Sequence, residues 1–115
     1  MNSQKTGLVL SGGGTKGIAH AGVLKFLNGK DIDVDILSCC SAGSIVGCMY
    51  AIGKTPEQIL EFFNSVYFFN WKHFAFNQPG LVSSVIFRNY LNPIFGDMKL
   101  GDLDKEVRIV ATELV

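Results

Sequence analysis

"GLVLSGGGTKG", residues Gly7 to Gly17, decides the fold that this sequence predicts. A short apolar run leads directly into a cluster of glycines, as a buried parallel strand does when it ends in a tight loop. Apolar residues then recur at roughly helical spacing from Ile18 to Leu27. The pattern predicts a strand, a glycine loop and a helix that runs from Thr15 to about Asn28 and stops at Gly29.

The rest of the sequence continues this alternation of strands and helices. Strands separated by helices indicate an α/β fold with a parallel sheet, flanking helices and right-handed crossovers. The chain stops at the end of its third predicted strand, and we therefore expect residues 1–115 to be part of one larger α/β domain, truncated after that strand. The elements predicted after the first helix are a strand at Val34–Cys39, a buried helix at Ala42–Ile52, a helix from Thr55-Pro56 through Phe63, a helix at Val82–Leu91, a turn-rich link with Asn92-Pro93 and Gly96-Asp97, and a strand at Val107–Thr112.

The composition is that of a globular protein. Hydrophobic residues make up 48% of the 115 residues and charged residues 17%, which suits a single packed domain. Ten basic and ten acidic side chains cancel, and no basic block occurs, which excludes the electrostatic footprint of a nucleic-acid-binding protein. The sequence has no signal-peptide pattern, and no apolar run approaches the ~18 residues that span a bilayer. We therefore expect a soluble, cytoplasmic protein.

The cysteines indicate neither a disulfide framework nor a metal site. Cys39, Cys40 and Cys48 are odd in number, two of them are adjacent, and their spacing does not fit a zinc site. They are typical of small free thiols in a reducing compartment.

The glycine loop has three interpretations. Gly12-x-Gly14-x-x-Gly17 is the pattern of a dinucleotide-binding or phosphate-binding loop, but it also suits a tight turn without a ligand, or an oxyanion hole formed by the amides of Gly12 to Gly14. Lys16 is followed by glycine where a Walker loop needs Ser or Thr. The second strand ends on cysteines and Ser41 where a dinucleotide site would have an acidic residue, which counts against a nucleotide.

A second motif, "SCCSAGS" at Ser38–Ser44, raises the question of what Ser41 does. Ser41 follows a predicted strand and precedes a predicted helix, with Gly43 two positions on, which is the layout of a nucleophile elbow. The alternative is that Ser41 only caps the next helix. The carboxyl ends of parallel strands share one edge of a sheet, so Ser41 and the glycine loop are predicted to meet there.

Together these motifs resemble the patatin-like phospholipase family. The resemblance covers nearly the whole chain and rests on "SGGGTKGIAHAGVLKFL", "CCSAGSIVG" and "VRIVATEL". It implies the N-terminal portion of a three-layer patatin-like core and a serine acyl hydrolase of lipid esters that uses a Ser-Asp dyad, without metal or organic cofactor. The site residues it implies are Ser41 as nucleophile, Gly12, Gly13 and Gly14 as oxyanion donors, and Lys16, Gly17 and Gly43 in supporting turns.

The sequence departs from the family pattern at the general base. The family commonly has Arg at the position of Lys16 and Gly at the position of Cys39, and both differences are mild. The family's aspartate lies in an Asp-Gly-Gly or Asp-Gly-Ala motif on a later strand, and this sequence contains no Asp-Gly dipeptide. We therefore assign no catalytic aspartate and expect these residues alone to be inactive, because serine without a base is a weak nucleophile.

Three further features remain open at the level of sequence. His20 and His73 are predicted to be structural, since a hydrolase histidine would follow the acid in the chain. The aromatic stretch over residues 67–76 suits core packing, or else an acyl-chain wall or a membrane-docking surface. The expected partners are a lipid ester, a membrane surface and, through an open sheet edge, a second copy of the chain.

Overall fold

The predicted order of strand, helix, strand, three helices and strand is confirmed. A computed structural model describes residues 4–73 and 84–111, and in that part of the chain the fold is α/β with a three-stranded parallel sheet and flanking helices. The strands are β1 (Gly7–Leu10), β2 (Ile36–Cys40) and β3 (Glu106–Val110), the helices are α1 (Ile18–Gly29), α2 (Ala42–Ala51), α3 (Pro56–His73) and α4 (Ser84–Phe95), and short 3-10 turns lie at Gly14–Gly17 and Leu100–Asp102.

The sheet has the strand order β1-β2-β3, with both neighbouring pairs parallel. Leu10 is paired with Cys39, and Cys39 with Ile109, so the three strands end nearly level. The segments that follow β1 and β2 therefore leave from the same edge of the sheet, which brings the glycine loop and Ser41 to one side of the molecule.

One face of the sheet carries the core of the described residues. Side chains on a strand alternate between its faces, and this face holds a buried residue from each strand, at Leu10, Leu37 and Val107. The opposite face exposes Val9 and Val110, which are 76% and 63% accessible. The helices contribute to the core cluster through Ala21 and Leu24 of α1, Val46 and Met49 of α2, and Ile59 and Phe63 of α3.

Two local predictions need correction. The Asn92-Pro93 pair is not a turn, because α4 continues to Phe95 and ends at Gly96, whose φ of 55° is the left-handed conformation that closes many helices. Residues Gly14–Gly17 form a 3-10 turn, so α1 begins at Ile18 and not at Thr15. In both places the prediction missed local backbone geometry, and the number and order of the elements did not change.

At the end of the sheet opposite Ser41, a charged network joins the segments that precede β2 and β3 to helix α2. The Lys105 ammonium donates hydrogen bonds to Asp33 Oδ1 at 2.8 Å and to the Val34 carbonyl at 2.7 Å, and it lies 5.2 Å from the centre of the Tyr50 ring. The Tyr50 hydroxyl donates to the same Asp33 oxygen at 3.2 Å. The hydrogen bond and the charge of Lys105 lower the pKa of Asp33 from its usual 3.8.

We expect the Lys105→Met variant to lose more stability at neutral pH than in strong acid, where only the contacts of Lys105 with the Val34 carbonyl and the Tyr50 ring are lost. The pKa of Asp33 is lower in the folded protein than in the unfolded chain, so the carboxylate contributes stability above the unfolded value, and this contribution is lost as the pH falls through the folded value. Urea unfolding at about pH 7 and about pH 2.5 would measure the difference. The control is Lys25→Met, which removes an ion pair to Glu57 whose side chains are 71% and 64% exposed and should change little at either pH. If Lys105→Met lowers the free energy of unfolding equally at both pH values, the prediction is wrong.

Candidate active site

The backbone at Ser41 is strained. Ser41 lies between the last residue of β2 and the first residue of α2, and its φ of 53° with ψ of −126° is a conformation that non-glycine residues rarely adopt. Such strain costs about 1–3 kcal/mol and occurs mostly at functional sites. The exposed Ser41 side chain makes no capping hydrogen bond to α2, so the interpretation of Ser41 as a helix cap is wrong.

Gly43 has no room for a side chain. A Cβ atom at Gly43 would lie 2.1 Å from the Leu10 carbonyl oxygen and 2.7 Å from the Ser11 carbonyl oxygen. The first turn of α2 is therefore packed directly against the backbone at the end of β1. This contact explains why glycine is needed two residues after Ser41.

In a nucleophile elbow the residues two before and two after the serine must be small because their side chains crowd each other, and here these residues are Cys39 and Gly43. The Cys39 thiol instead packs against Gly47, where a Cβ atom would lie 2.4 Å from its sulfur. Burial raises the pKa of the Cys39 thiol to about 11, which leaves it in the protonated, unreactive form. Gly47, one turn into α2, thus makes space for a cysteine at a position where the family that the sequence resembles commonly has glycine.

The glycine loop lies against the serine turn, as the sequence predicted. A Cβ atom at Gly12 would lie 3.2 Å from Ser41 Cβ and 3.8 Å from Ser41 Oγ. Gly14 has a φ of 56°, which is the left-handed conformation that glycine tolerates best. The amides of Gly12, Gly13 and Gly14 donate no hydrogen bond to any acceptor whose position the structure describes. Gly12, whose amide is one of these free donors, therefore lies beside the Ser41 side chain.

Of the two residues that end the glycine loop, Gly17 is buried and Lys16 is exposed. Gly17 is buried, and a Cβ atom there would lie 3.0 Å from Ala42 Cβ and 3.4 Å from the Phe63 ring, so the starts of α1 and α2 pack closely at this point. The Lys16 residue is exposed, and its backbone N–H donates to the Gly13 carbonyl at 3.0 Å, closing the 3-10 turn.

His20, predicted to be structural, touches the glycine loop. Its ring nitrogen Nε2 lies 2.7 Å from the carbonyl oxygen of Ser11, the residue that follows β1. A carbonyl only accepts hydrogen bonds, so Nε2 must carry the proton that it donates. His73 belongs to α3, but its side chain lies outside the described residues, as do the side chains of the aromatic stretch at residues 67–76.

An apolar pocket opens beside the first two turns of α2. Its volume is about 230 Å³. The Ser44 hydroxyl in its wall is buried and has no hydrogen-bond partner among the described residues. No sequence pattern indicates this pocket, because its walls come from segments far apart in the chain. They are Ser44, Ile45 and Cys48 of α2, Leu91 and Phe95 of α4, the link residues Met98, Lys99, Leu100 and Leu103, and Ile109 of β3.

No general base for Ser41 is found among the side chains that the structure describes in residues 4–66 and 88–111. No carboxylate or imidazole whose side chain the structure describes, which leaves out His73, forms a hydrogen bond with the Ser41 hydroxyl. Asp102, one of the acidic residues before β3, instead accepts a hydrogen bond from the Lys99 amide at 2.9 Å. The same residues hold no cluster of three metal-ligating side chains, and none of their helices has the length and apolarity to cross a bilayer.

Comparison with known proteins covers the whole site. The model of a family described as patatin-like phospholipase matches residues 8–114. A patatin-like phospholipase domain-containing protein of Caenorhabditis elegans is 48% identical over 54 residues, which are 47% of this chain and 4% of that protein. Lysophospholipase NTE1 of Kluyveromyces lactis is 44% identical over 52 residues, and lysophospholipase nte1 of Aspergillus fumigatus is 56% identical over 45 residues. The match spans only 4% and 3% of the lengths of these two relatives.

Proposed function

Because the chain belongs to the patatin-like phospholipase family, we propose that it carries the nucleophile and oxyanion hole of a serine acyl hydrolase that acts on lipid esters. One observation carries the proposal: the hydroxyl of a strained, exposed Ser41 lies against a loop of glycines with free amides. A sharp strand-to-helix turn that exposes a serine hydroxyl is the geometry of a nucleophile elbow.

In the proposed reaction, Ser41 Oγ attacks the carbonyl carbon of the ester and its proton passes to a general base. The carbonyl oxygen becomes an oxyanion, which the amides of Gly12, Gly13 and Gly14 stabilise by hydrogen bonds, and the positive end of the α2 dipole adds to their effect. The alcohol then leaves, and water releases the acid from the acyl-enzyme. Family resemblance implies that the base is an aspartate, and we assign no aspartate of these 115 residues to that role.

The apolar pocket beside α2 supports the proposal that the substrate carries an acyl chain. Its wall begins at Ser44, three residues after Ser41 in the first turn of α2, where the Ser44 amide donates a hydrogen bond to the Ser41 carbonyl at 2.8 Å. Its volume of about 230 Å³ exceeds the ~150 Å³ of an apolar cavity that accepts benzene. By proportion it would hold an apolar chain of about nine carbon atoms. We therefore assign it to the acyl chain of the ester.

Filling the pocket should change the preference for acyl-chain length. Leu100 lines the pocket and is 46% exposed, so a Leu100→Trp variant of the full-length protein adds bulk with little cost to folding. We expect the rate with p-nitrophenyl octanoate to fall about tenfold relative to the rate with the acetate, since small changes in an apolar pocket alter selectivity by this amount. Val23→Trp, on the exposed surface of α1, is the control. If the ratio of the octanoate rate to the acetate rate is unchanged in Leu100→Trp, the assignment of this pocket to the acyl chain is wrong.

The nucleophile itself is tested by covalent labelling. A fluorophosphonate should form a single adduct with the full-length protein, and mass spectrometry of the digested protein should map it to Ser41. A thermal shift with NAD or ATP, together with the absence of any adduct, would instead favour the phosphate-binding interpretation of the glycine loop. Contact with a membrane surface, self-association through an edge strand and a cytoplasmic location stay predictions.

A further inference from the structure

We propose that His20 is a positioning residue which, by holding the Ser11 carbonyl, aims the Gly12 amide at the oxyanion. The inference rests on the proposed function, because it concerns the donor geometry of the same site. It starts from one contact that the hydrolase mechanism does not use, the 2.7 Å hydrogen bond from His20 Nε2 to the Ser11 carbonyl oxygen.

The geometry of the peptide bond links this contact to the oxyanion hole. The Ser11 carbonyl and the Gly12 N–H belong to the same peptide unit, which is planar and trans, so the two groups point in opposite directions. A partner that holds the carbonyl on one side therefore orients the N–H on the other. Gly12 is also the loop residue whose Cβ position would lie 3.8 Å from Ser41 Oγ.

The Ser11–Gly12 peptide needs such a partner, because glycines make its alternative orientation accessible. Gly12 and Gly13 follow one another, and glycine adopts both signs of φ readily. The free-energy cost of rotating the Ser11–Gly12 peptide is therefore low. Rotation by half a turn would direct the Ser11 carbonyl oxygen, in place of the Gly12 N–H, toward the oxyanion. An acceptor facing a developing negative charge would raise the barrier that the donor lowers.

Two helices hold the Ser11 carbonyl in the structure. His20 is in the first turn of α1 and donates to it, and the first turn of α2 approaches it so closely that a Cβ atom at Gly43 would lie 2.7 Å from the same oxygen. The loop between β1 and α1 is thus tied back by the helix that follows it. Because Nε2 donates to a backbone carbonyl in this arrangement, that nitrogen is not free to take the proton of Ser41.

The test compares two variants of the full-length protein that differ in one donor. His20→Phe keeps a planar ring and removes the N–H, whereas His20→Gln keeps an amide donor at a similar distance from the backbone. With a fluorophosphonate we expect His20→Phe to lower the maximal labelling rate of Ser41 about 10- to 100-fold with little change in the half-saturating concentration, because misplaced donors affect the transition state more than binding. His20→Gln should recover most of that rate.

The Gly12 amide provides a readout that requires no reaction. In ¹⁵N spectra of the same proteins, the Gly12 resonance should shift in His20→Phe and return toward its original position in His20→Gln. Equal rates in both variants and the wild type, or a Gly12 resonance that His20→Phe leaves in place, would overturn the positioning role. If the wild type itself is not labelled, the hydrolase proposal fails. If the wild type is labelled and His20→Phe is labelled at the same rate, only the positioning role of His20 fails.

Discussion

Ester hydrolysis and fluorophosphonate labelling by the full-length protein should both disappear in its Ser41→Ala variant, with a loss of kcat of about 10⁴-fold or more. Removing the nucleophile of a serine hydrolase costs this much because the remaining oxyanion donors and binding contacts supply only the residual catalysis. The matched control is Ser65→Ala on α3, where the hydroxyl donates to the Glu61 carbonyl at 2.9 Å and takes no part in the site. Hydrolysis and labelling that survive in Ser41→Ala would reject Ser41 as nucleophile.

A second substitution at the same position separates chemistry from stability. Ser41 has a φ of 53° and alanine would have to adopt the same strained conformation, whereas glycine adopts it freely. We therefore expect Ser41→Gly to be as inactive as Ser41→Ala but more stable than it by about 1 kcal/mol, measured by urea unfolding. The result would show that the fold holds Ser41 in a costly conformation.

Gly43→Ala should be strongly destabilising, although glycine-to-alanine substitutions inside helices normally stabilise. The added methyl group would lie 2.1 Å from the Leu10 carbonyl oxygen, and a backbone atom cannot move aside as a flexible side chain does. The first turn of α2 would have to withdraw from β1, at a cost of about 3 kcal/mol or more. The same withdrawal would carry Ser41 away from Gly12, so labelling should fall in the fraction that still folds.

Gly22→Ala is the control with the opposite expected sign. Gly22 is an exposed residue of α1, and a Cβ atom there would have no neighbour within 4 Å. Alanine should therefore raise the stability by up to about 1 kcal/mol through helix propensity alone. Urea unfolding measures the free energy of unfolding of the two variants. A Gly43→Ala protein as stable as Gly22→Ala would contradict the close contact between α2 and β1.

Local sequence patterns predicted most of the fold. A short apolar run ending in glycines marked β1, and Thr55-Pro56 marked the start of α3, where two reciprocal hydrogen bonds between Thr55 and Gln58 form a capping box and measure 2.9 and 3.1 Å. The meeting of Ser41 with the glycine loop also followed from sequence, because parallel strands end at one edge. These features depend on neighbours in the chain or on a general rule of topology.

The features that sequence did not reveal depend on contacts between distant residues. Nothing near Gly47 in the chain indicates that it makes room for the Cys39 thiol, and nothing near His20 indicates its bond to Ser11. The apolar pocket has walls from three elements and a link, so no single stretch carries its pattern. Pro93 misled the prediction because its position in the last turn of α4 leaves only a short length of helix after it.

The separation of the pocket from the serine turn has a consequence for how such a protein could diversify. The supports of Ser41 lie on β1, β2 and the first turns of α1 and α2, whereas much of the pocket wall lies on α4 and on residues 98–103. Mutations in that wall can accumulate without disturbing the reactive hydroxyl. New chain-length specificities could therefore evolve, or be selected in the laboratory, while the catalytic geometry is inherited intact.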